Sequence, residues 1–202
     1  MILEAYDLTF YYRNRKNYPI IDHFSLTISP GERVGLKGPS GRGKTTLCRL
    51  LAGYERPKQG GVLLDGRPVS EYRGACPVQM VWQHPETVVD PLLRLKETMA
   101  EAGDIEERLM EKLYIEKEWL DRYPSELSGG ELQRFCLARA LRPETEILLC
   151  DEITAMLDLV TQAQIWEFLL EESERRGMGM LVVSHSEKLL KKVCTRILSL
   201  TD

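Results

Sequence analysis

Residues 38–45, Gly38-Pro39-Ser40-Gly41-Arg42-Gly43-Lys44-Thr45, fit the pattern G-x-x-x-x-G-K-[ST] and constrain the chain more than any other stretch. Just upstream, Arg33-Val34-Gly35-Leu36-Lys37 reads as a short buried strand. Just downstream, Thr45 to Leu51 reads as a helix, with Leu47, Leu50 and Leu51 at helical spacing. The glycines let the backbone turn with its N–H groups pointing inward, and the new helix adds the positive end of its dipole. Gly38, Ser40, Gly41, Gly43, Lys44, Thr45 and Thr46 then form a nest for the β- and γ-phosphates of a nucleotide. Lys44 would bridge those phosphates as a point charge, and Thr45 would place its hydroxyl on Mg2+.

A chain of 202 residues suits one domain with room for an inserted lobe. The net charge of −4 gives no general case for a nucleic-acid partner. No apolar run approaches the roughly 20 residues of a membrane span. The first residues, Met1 to Asp7, carry acids and no basic segment, unlike a secretory signal. The cysteines at 48, 76, 136, 150 and 194 are odd in number and form no C-x-x-C pair. They read as reduced thiols of a cytosolic protein.

Ile2 to Phe10 reads as a strand and Ser25 to Ile28 as a second. Between them come Tyr11, Tyr12 and a polar stretch, Arg13 to Asn17. An exposed aromatic there could stack on an adenine ring or simply pack on a sheet edge. Gly60 to Val69 reads as strand, tight Asp-Gly turn, strand, and Val78 to Trp82 as a further strand ending at Gln83. From His84 to Glu126 the character changes: this segment holds twelve acids and six bases. Ile105, Leu109 and Leu113 lie four apart, as on one helical face. The expectation is an inserted helical lobe with an acidic, solvated outer face.

Leu127-Ser128-Gly129-Gly130-Glu131 follows, with Ser128 and Glu131 at capping-box spacing. The next helix would bury Leu132, Phe135, Cys136 and Ala140 and end at Pro143. Bare N–H groups and a hydroxyl at its positive end make a second anion site, or a helix cap and nothing more. Ile147 to Glu152 is an apolar strand ending in paired carboxylates, about 107 residues after Lys44 and expected on a strand neighbouring the loop's own. Asp151 would hold Mg2+ or its water, and Glu152 could take a proton from an attacking water. Asp158 opens a helix running to about Arg176. Met180 to Ser184 is another buried strand, ending at His185, where ligands of such sheets gather. A last helix, Glu187 to Val193, and a strand, Arg196 to Leu200, complete the order.

This set of motifs resembles the ATP-binding-cassette (ABC) ATPases over nearly the whole chain. The carriers are the loop at 38–45, Gln83, the LSGGE stretch at 127–131 with Leu132-Gln133-Arg134, the strand at 147–152, Asp158 and His185, all in family order. The resemblance implies a single nucleotide-binding domain over 1–202. Its fold would be an α/β P-loop NTPase core, a mixed sheet flanked by helices. To this it adds an N-terminal antiparallel β part and an inserted helical subdomain at about 84–142 that includes the signature.

It further implies two cassettes binding two ATP molecules head to tail, with Ser128, Gly129 and Gly130 on the γ-phosphate of the partner's ATP. Tyr12 would stack on adenine, with Tyr11 as the other candidate. Asp158 would join the nucleotide contacts, and Gln83 would contact Mg2+ and link to the membrane subunit. Glu152 would polarise the attacking water and His185 position it. Implied partners are a second ATPase subunit, identical or not, membrane permeases and, indirectly, an extracytoplasmic binding protein. The chain would then sit in the cytoplasm against the inner face of the membrane.

Thr161-Gln162-Ala163-Gln164-Ile165 after Asp158 looks like the dipeptide, oligopeptide and nickel importer group. The chain departs from the family pattern at Ile153 (usually Pro), at Ala155-Met156 (usually a small pair) and at Lys37 (usually apolar), and it stops at Asp202 without that group's C-terminal extension. None of these removes a phosphate or Mg2+ ligand. Two other readings compete: a soluble ABC ATPase acting on nucleic acid or ribosomes, and a regulatory module that binds ATP without turnover. The first lacks its usual tandem cassettes, arms or zinc modules here. The second is opposed by Glu152 and His185.

Overall fold

The computed structural model describes residues 1–12, 18–103 and 105–200. The polar stretch Arg13 to Asn17 and the last two residues lie outside them. Two sheets form. In the first, β1 (Leu3–Phe10) pairs antiparallel with β2 (Ile21–Ile28) and β4 (Gln59–Leu64), and β4 with β5 (Arg67–Pro68). Leu3, Ala5, Leu8 and Phe10 of β1 are buried while Glu4 and Tyr6 are exposed, the expected signature of a half-buried strand. The second sheet holds β3 (Arg33–Lys37), β6 (Val78–Val81), β7 (Ile147–Asp151), β8 (Gly179–Val183) and β9 (Arg196–Ser199), all parallel, in the order β6-β7-β8-β3-β9. The mixed α/β character expected from the sequence therefore comes from two sheets, each of one kind.

Every residue of β7 and β8 is buried, because helices cover one face and a helix together with the antiparallel sheet covers the other. Their side chains alternate between two cores. Leu148, Cys150, Met180 and Val182 face the one shared with α4 (Gly129–Ala140), α5 (Leu159–Arg176) and α6 (Glu187–Val193). Ile147, Leu149, Leu181 and Val183 face the one shared with α1 (Lys44–Leu51) and the antiparallel sheet. Fully burying each such side chain is worth about 1.5–3 kcal/mol, so these two strands anchor both halves at once. Burial also raises the Cys48 and Cys150 thiols well above their ordinary range, and all five cysteines are free.

The sheet order corrects one expectation. β7 does not neighbour β3, because β8 lies between them and pairs with both. The apolar run of β8 needs cover on both edges and both faces, and only the middle of the sheet supplies that. The segment from 84 to 142 is also less helical than its periodicity implies. It carries α2 (Leu95–Ala100), α3 (Glu107–Lys112), α4 and three short 3-10 turns. Ile105 precedes α3 and Leu113 caps it, so they do not share a helix with Leu109, although Leu109 and Leu113 are both buried. α4 stops at Ala140, before Pro143, where Thr145 Oγ1 donates to Ala140 O at 2.7 Å. β2 begins at Ile21, four residues earlier than expected.

Ion pairs tie the lobe to α5. Arg108 of α3 reaches the fully buried Glu172 and also Glu171, while Lys112 Nζ meets Glu171 Oε2 at 2.9 Å. Burial pushes the Glu172 carboxyl up, but hydrogen bonds from Arg175 and Arg108 outweigh it and hold the group below its usual range.

Candidate active site

The glycine-rich loop leaves the C-terminal end of β3, the end of a parallel sheet where ligands collect. Gly41 and Gly43 adopt φ of 77° and 90°, conformations that other residues rarely hold. A side chain at Gly43 would also strike Ile20, whose Cγ2 lies 2.6 Å from an added Cβ. Lys44 opens α1 and is 6% exposed, with Nζ donating to Gly38 O (2.8 Å) and Pro39 O (3.1 Å). Gly38 thus contributes its carbonyl to the lysine and does not line the cleft above.

That cleft, of about 360 Å3, gathers side chains from five parts of the chain. Ser40, Gly41, Gly43, Lys44, Thr45 and Thr46 form its floor. Tyr12 and Ile20 form one wall, brought together where Ile20 N donates to Phe10 O at 2.8 Å. Tyr12 lies edge-on to Phe10 (5.0 Å, 87°), with its hydroxyl 3.4 Å from Thr46 Oγ1. Tyr11 does not line the cleft; its ring lies 5.7 Å from Lys58 Nζ instead. The structure thereby separates two tyrosines that the sequence left as alternatives.

Gln83, Glu152 and His185 form the opposite wall. Glu152 follows β7 with φ of 51°, and its N–H donates to Val183 O at 3.1 Å. Its Oε1 lies 2.9 Å from His185 Nε2 and 3.9 Å from Lys44 Nζ. His185 Nε2 is also 3.5 Å from Ser40 Oγ. Gln83 follows β6, and the buried Gln133 of α4 holds that corner by donating to Trp82 O at 3.2 Å.

Asp151 is 2% exposed beneath the cleft. Burial pushes its carboxyl up, and a hydrogen bond with the Thr45 side chain opposes that push. Among the described residues no three His, Cys, Asp or Glu side chains gather as a metal cage. Thr45, Asp151 and Gln83 instead offer a few hard oxygen donors beside a phosphate-shaped nest, the donor set that suits Mg2+ completed by phosphate and water.

Ser128, Gly129, Gly130 and Asp158 are not brought to this cleft. Ser128, Gly130 and Asp158 line a second recess of about 410 Å3, with Tyr114, Arg134 and Met156. Gly129, the first residue of α4, is exposed beside it. The capping box is made in both directions: Ser128 N donates to Glu131 Oε2 (2.7 Å) and Glu131 N to Ser128 Oγ (3.3 Å). Asp158 caps α5, accepting from the N–H groups of Val160 (2.9 Å) and Thr161 (3.0 Å); the Thr161 hydroxyl first, and then these N–H groups, hold its carboxyl below the usual range. Of the departing residues, Ile153 is buried in the core, Met156 is 69% exposed, and Lys37 Nζ reaches Glu187 Oε1 at 3.3 Å. Ile20 and Tyr114 carried no sequence signal, because only the folded chain brings them to these recesses.

The sequence profile of the ABC transporter family matches residues 21–155. The nickel import ATP-binding protein NikE of Rhodospirillum rubrum is 36% identical, over 91% of this chain and 73% of that protein. NikE of Escherichia coli K12 is 35% identical, over 89% and 74% respectively. The dimeric post-hydrolysis structure of the cassette MJ0796 bound to ADP and Pi shares the fold, with a TM-score of 0.85 and 24% identity over 98% of this chain and 93% of that one.

Proposed function

The chain belongs to the ABC transporter family and is an ATP-binding, ATP-hydrolysing cassette, and on that premise we propose that it is the ATPase subunit of an importer. The cargo class we infer is peptides or nickel and other metal complexes. Relatives named as nickel import proteins and the Thr161 to Ile165 run support it. We read 1–202 as one domain, with 84–142 as its inserted helical subdomain. The loop 38–46 holds the phosphates and Tyr12 stacks on the base. Thr45, Asp151 and Gln83 would hold Mg2+, which would supply positive charge to offset that of the phosphates. Glu152 accepts the proton of a water attacking the γ-phosphorus as the bond to the bridging oxygen breaks, leaving ADP and phosphate. His185, in contact with Glu152 and Ser40, positions that water.

The observation that carries the reading is the separation of two anion-accepting recesses. The loop cleft and the Ser128 recess share no lining residue, and two chains head to tail could close both on one nucleotide. Ser128→Arg and Lys44→Ala, each nearly inactive alone, should therefore recover part of the ATPase rate when mixed, because one composite site of the mixed dimer is intact. No recovery despite demonstrated mixed dimers would count against composite sites.

Among the described residues no helix is long and apolar enough to cross a membrane. We infer attachment to the inner membrane face through permease subunits. A groove beside Gln83, lined by Tyr54, Trp82, Val88 and Arg139, offers the aromatic contacts for it. The acidic lobe adds only about 0–1 kcal/mol per exposed ion pair. Gln83→Ala should leave ATP affinity nearly unchanged and uncouple hydrolysis from transport. The protein should co-purify with permeases from membrane extracts; recovery solely with ribosomes or DNA would sink the transporter reading.

A further inference from the structure

We propose that Gln162 and Trp166, one turn apart on α5, are positioning residues that clamp the turn at 153–158 and so hold Glu152 in its strained backbone conformation at the reaction centre. The proposal rests on the reading of Glu152 as the proton acceptor. A non-glycine residue at φ of 51° is uncommon, and such a residue persists only where its surroundings over-determine it. On the N-terminal side the fixing contact is Glu152 N–H to Val183 O, at 3.1 Å. On the C-terminal side the turn is held from α5.

Gln162 Nε2 donates to Thr154 O (2.8 Å) and Leu157 O (2.9 Å), which uses both amide hydrogens. Trp166 Nε1 donates to Thr154 Oγ1 at 3.1 Å inside the core. Spacing of i, i+4 puts the two donors on one helix face. Within the turn, Ala155 N–H donates to Glu152 O (3.0 Å) and Leu157 N–H to Thr154 O (3.2 Å). Thr154, 4% exposed, is thus gripped through both its carbonyl and its hydroxyl. Neither clamp residue lines the nucleotide cleft; both line an adjoining recess of about 240 Å3 with Glu152 and His185. Their hydrogen bonds go to the turn that follows Glu152, and their effect on the cleft is taken to pass through it. This gives the Thr161 to Ile165 run a physical role: Thr161 secures the cap, Gln162 the turn, and Ile165 enters the core.

The test uses the full chain in its native assembly. Gln162→Glu keeps the shape but turns a double donor into an acceptor facing two carbonyls, and Gln162→Leu removes both donors. Each should lower kcat about 10–100-fold, the scale of a catalytic group displaced by about 1 Å. ATP affinity by calorimetry should stay within about twofold, and the Ala155 and Leu157 amides should exchange hydrogen faster. Wild-type kcat in folded variants, or a loss of ATP affinity equal to the loss of kcat, overturns the clamp. Should both variants fail to fold, Trp166→Phe keeps the ring packing and removes the second donor, and an unchanged kcat there overturns it equally. Glu152→Gln run alongside separates the two ideas. If Glu152→Gln hydrolyses normally, the role of Glu152 has failed; if it is inert while the Gln162 variants run at full rate, only the clamp has.

Discussion

Glu152→Gln is expected to bind ATP and leave it unhydrolysed. The amide matches the carboxylate in shape and can still meet His185, which lies 2.9 Å from Glu152 Oε1. What it cannot do is accept a proton from water. Loss of a general base costs about 10^2–10^4-fold in rate, and among the described residues His185 is the only other ionisable side chain on that wall of the cleft. The proposed phosphate nest is the 38–46 loop and does not depend on Glu152, so ATP affinity should persist and the closed dimer should accumulate. Single-turnover hydrolysis of labelled ATP, with size-exclusion chromatography and a check for contaminating ATPase, measures both. Normal turnover would remove Glu152 from the proton-transfer step.

Lys44→Ala is expected to reduce ATP affinity by about 10–100-fold, the value of a hydrogen bond to a charged group at about 1.5–3 kcal/mol. Lys44 is 6% exposed and its Nζ satisfies two loop carbonyls, Gly38 O and Pro39 O. Truncation therefore removes the cation proposed to meet the phosphates and strips a donor from the loop. Leaving such carbonyls without a partner costs about 1–3 kcal/mol each where water cannot replace the donor, so the loop itself should loosen. Calorimetric titration with ATP reads the first effect, and hydrogen exchange across 38–43 reads the second. Equal ATP affinity in mutant and parent would end the phosphate-nest reading.

The local geometry was legible in the sequence because short-range sterics set it. Glycines at 41 and 43 need positive φ, and both have it. Ser128 and Glu131 at capping-box spacing make both bonds, and Asp158 caps the helix it precedes. The apolar runs of β7 and β8 are buried throughout, as runs without alternation should be. The motif residues also fell into place on strand ends and helix starts, where backbone groups are free to serve a ligand.

Tertiary structure alone decided how these pieces meet. Nothing local to β8 records that it inserts between β7 and β3; strand order depends on which crossovers pack, and several orders satisfy the same apolar pattern. That insertion carries His185 on β8's end to Glu152 on β7's end, a contact between residues far apart in the chain. Tyr12 was separated from Tyr11 where the chain leaves β1, which puts one ring in the cleft and leaves the other under Lys58. The helical period around Ile105 misled because α3 is one short element held by Arg108 and Lys112 to α5, not a long helix stabilised by its own face. The strain at Glu152 and its clamp by Gln162 and Trp166 belong to the same class. They exist only because α5 packs back on the turn it follows, a contact fixed by burial of Ile165, Trp166, Phe168 and Leu169 in the shared core.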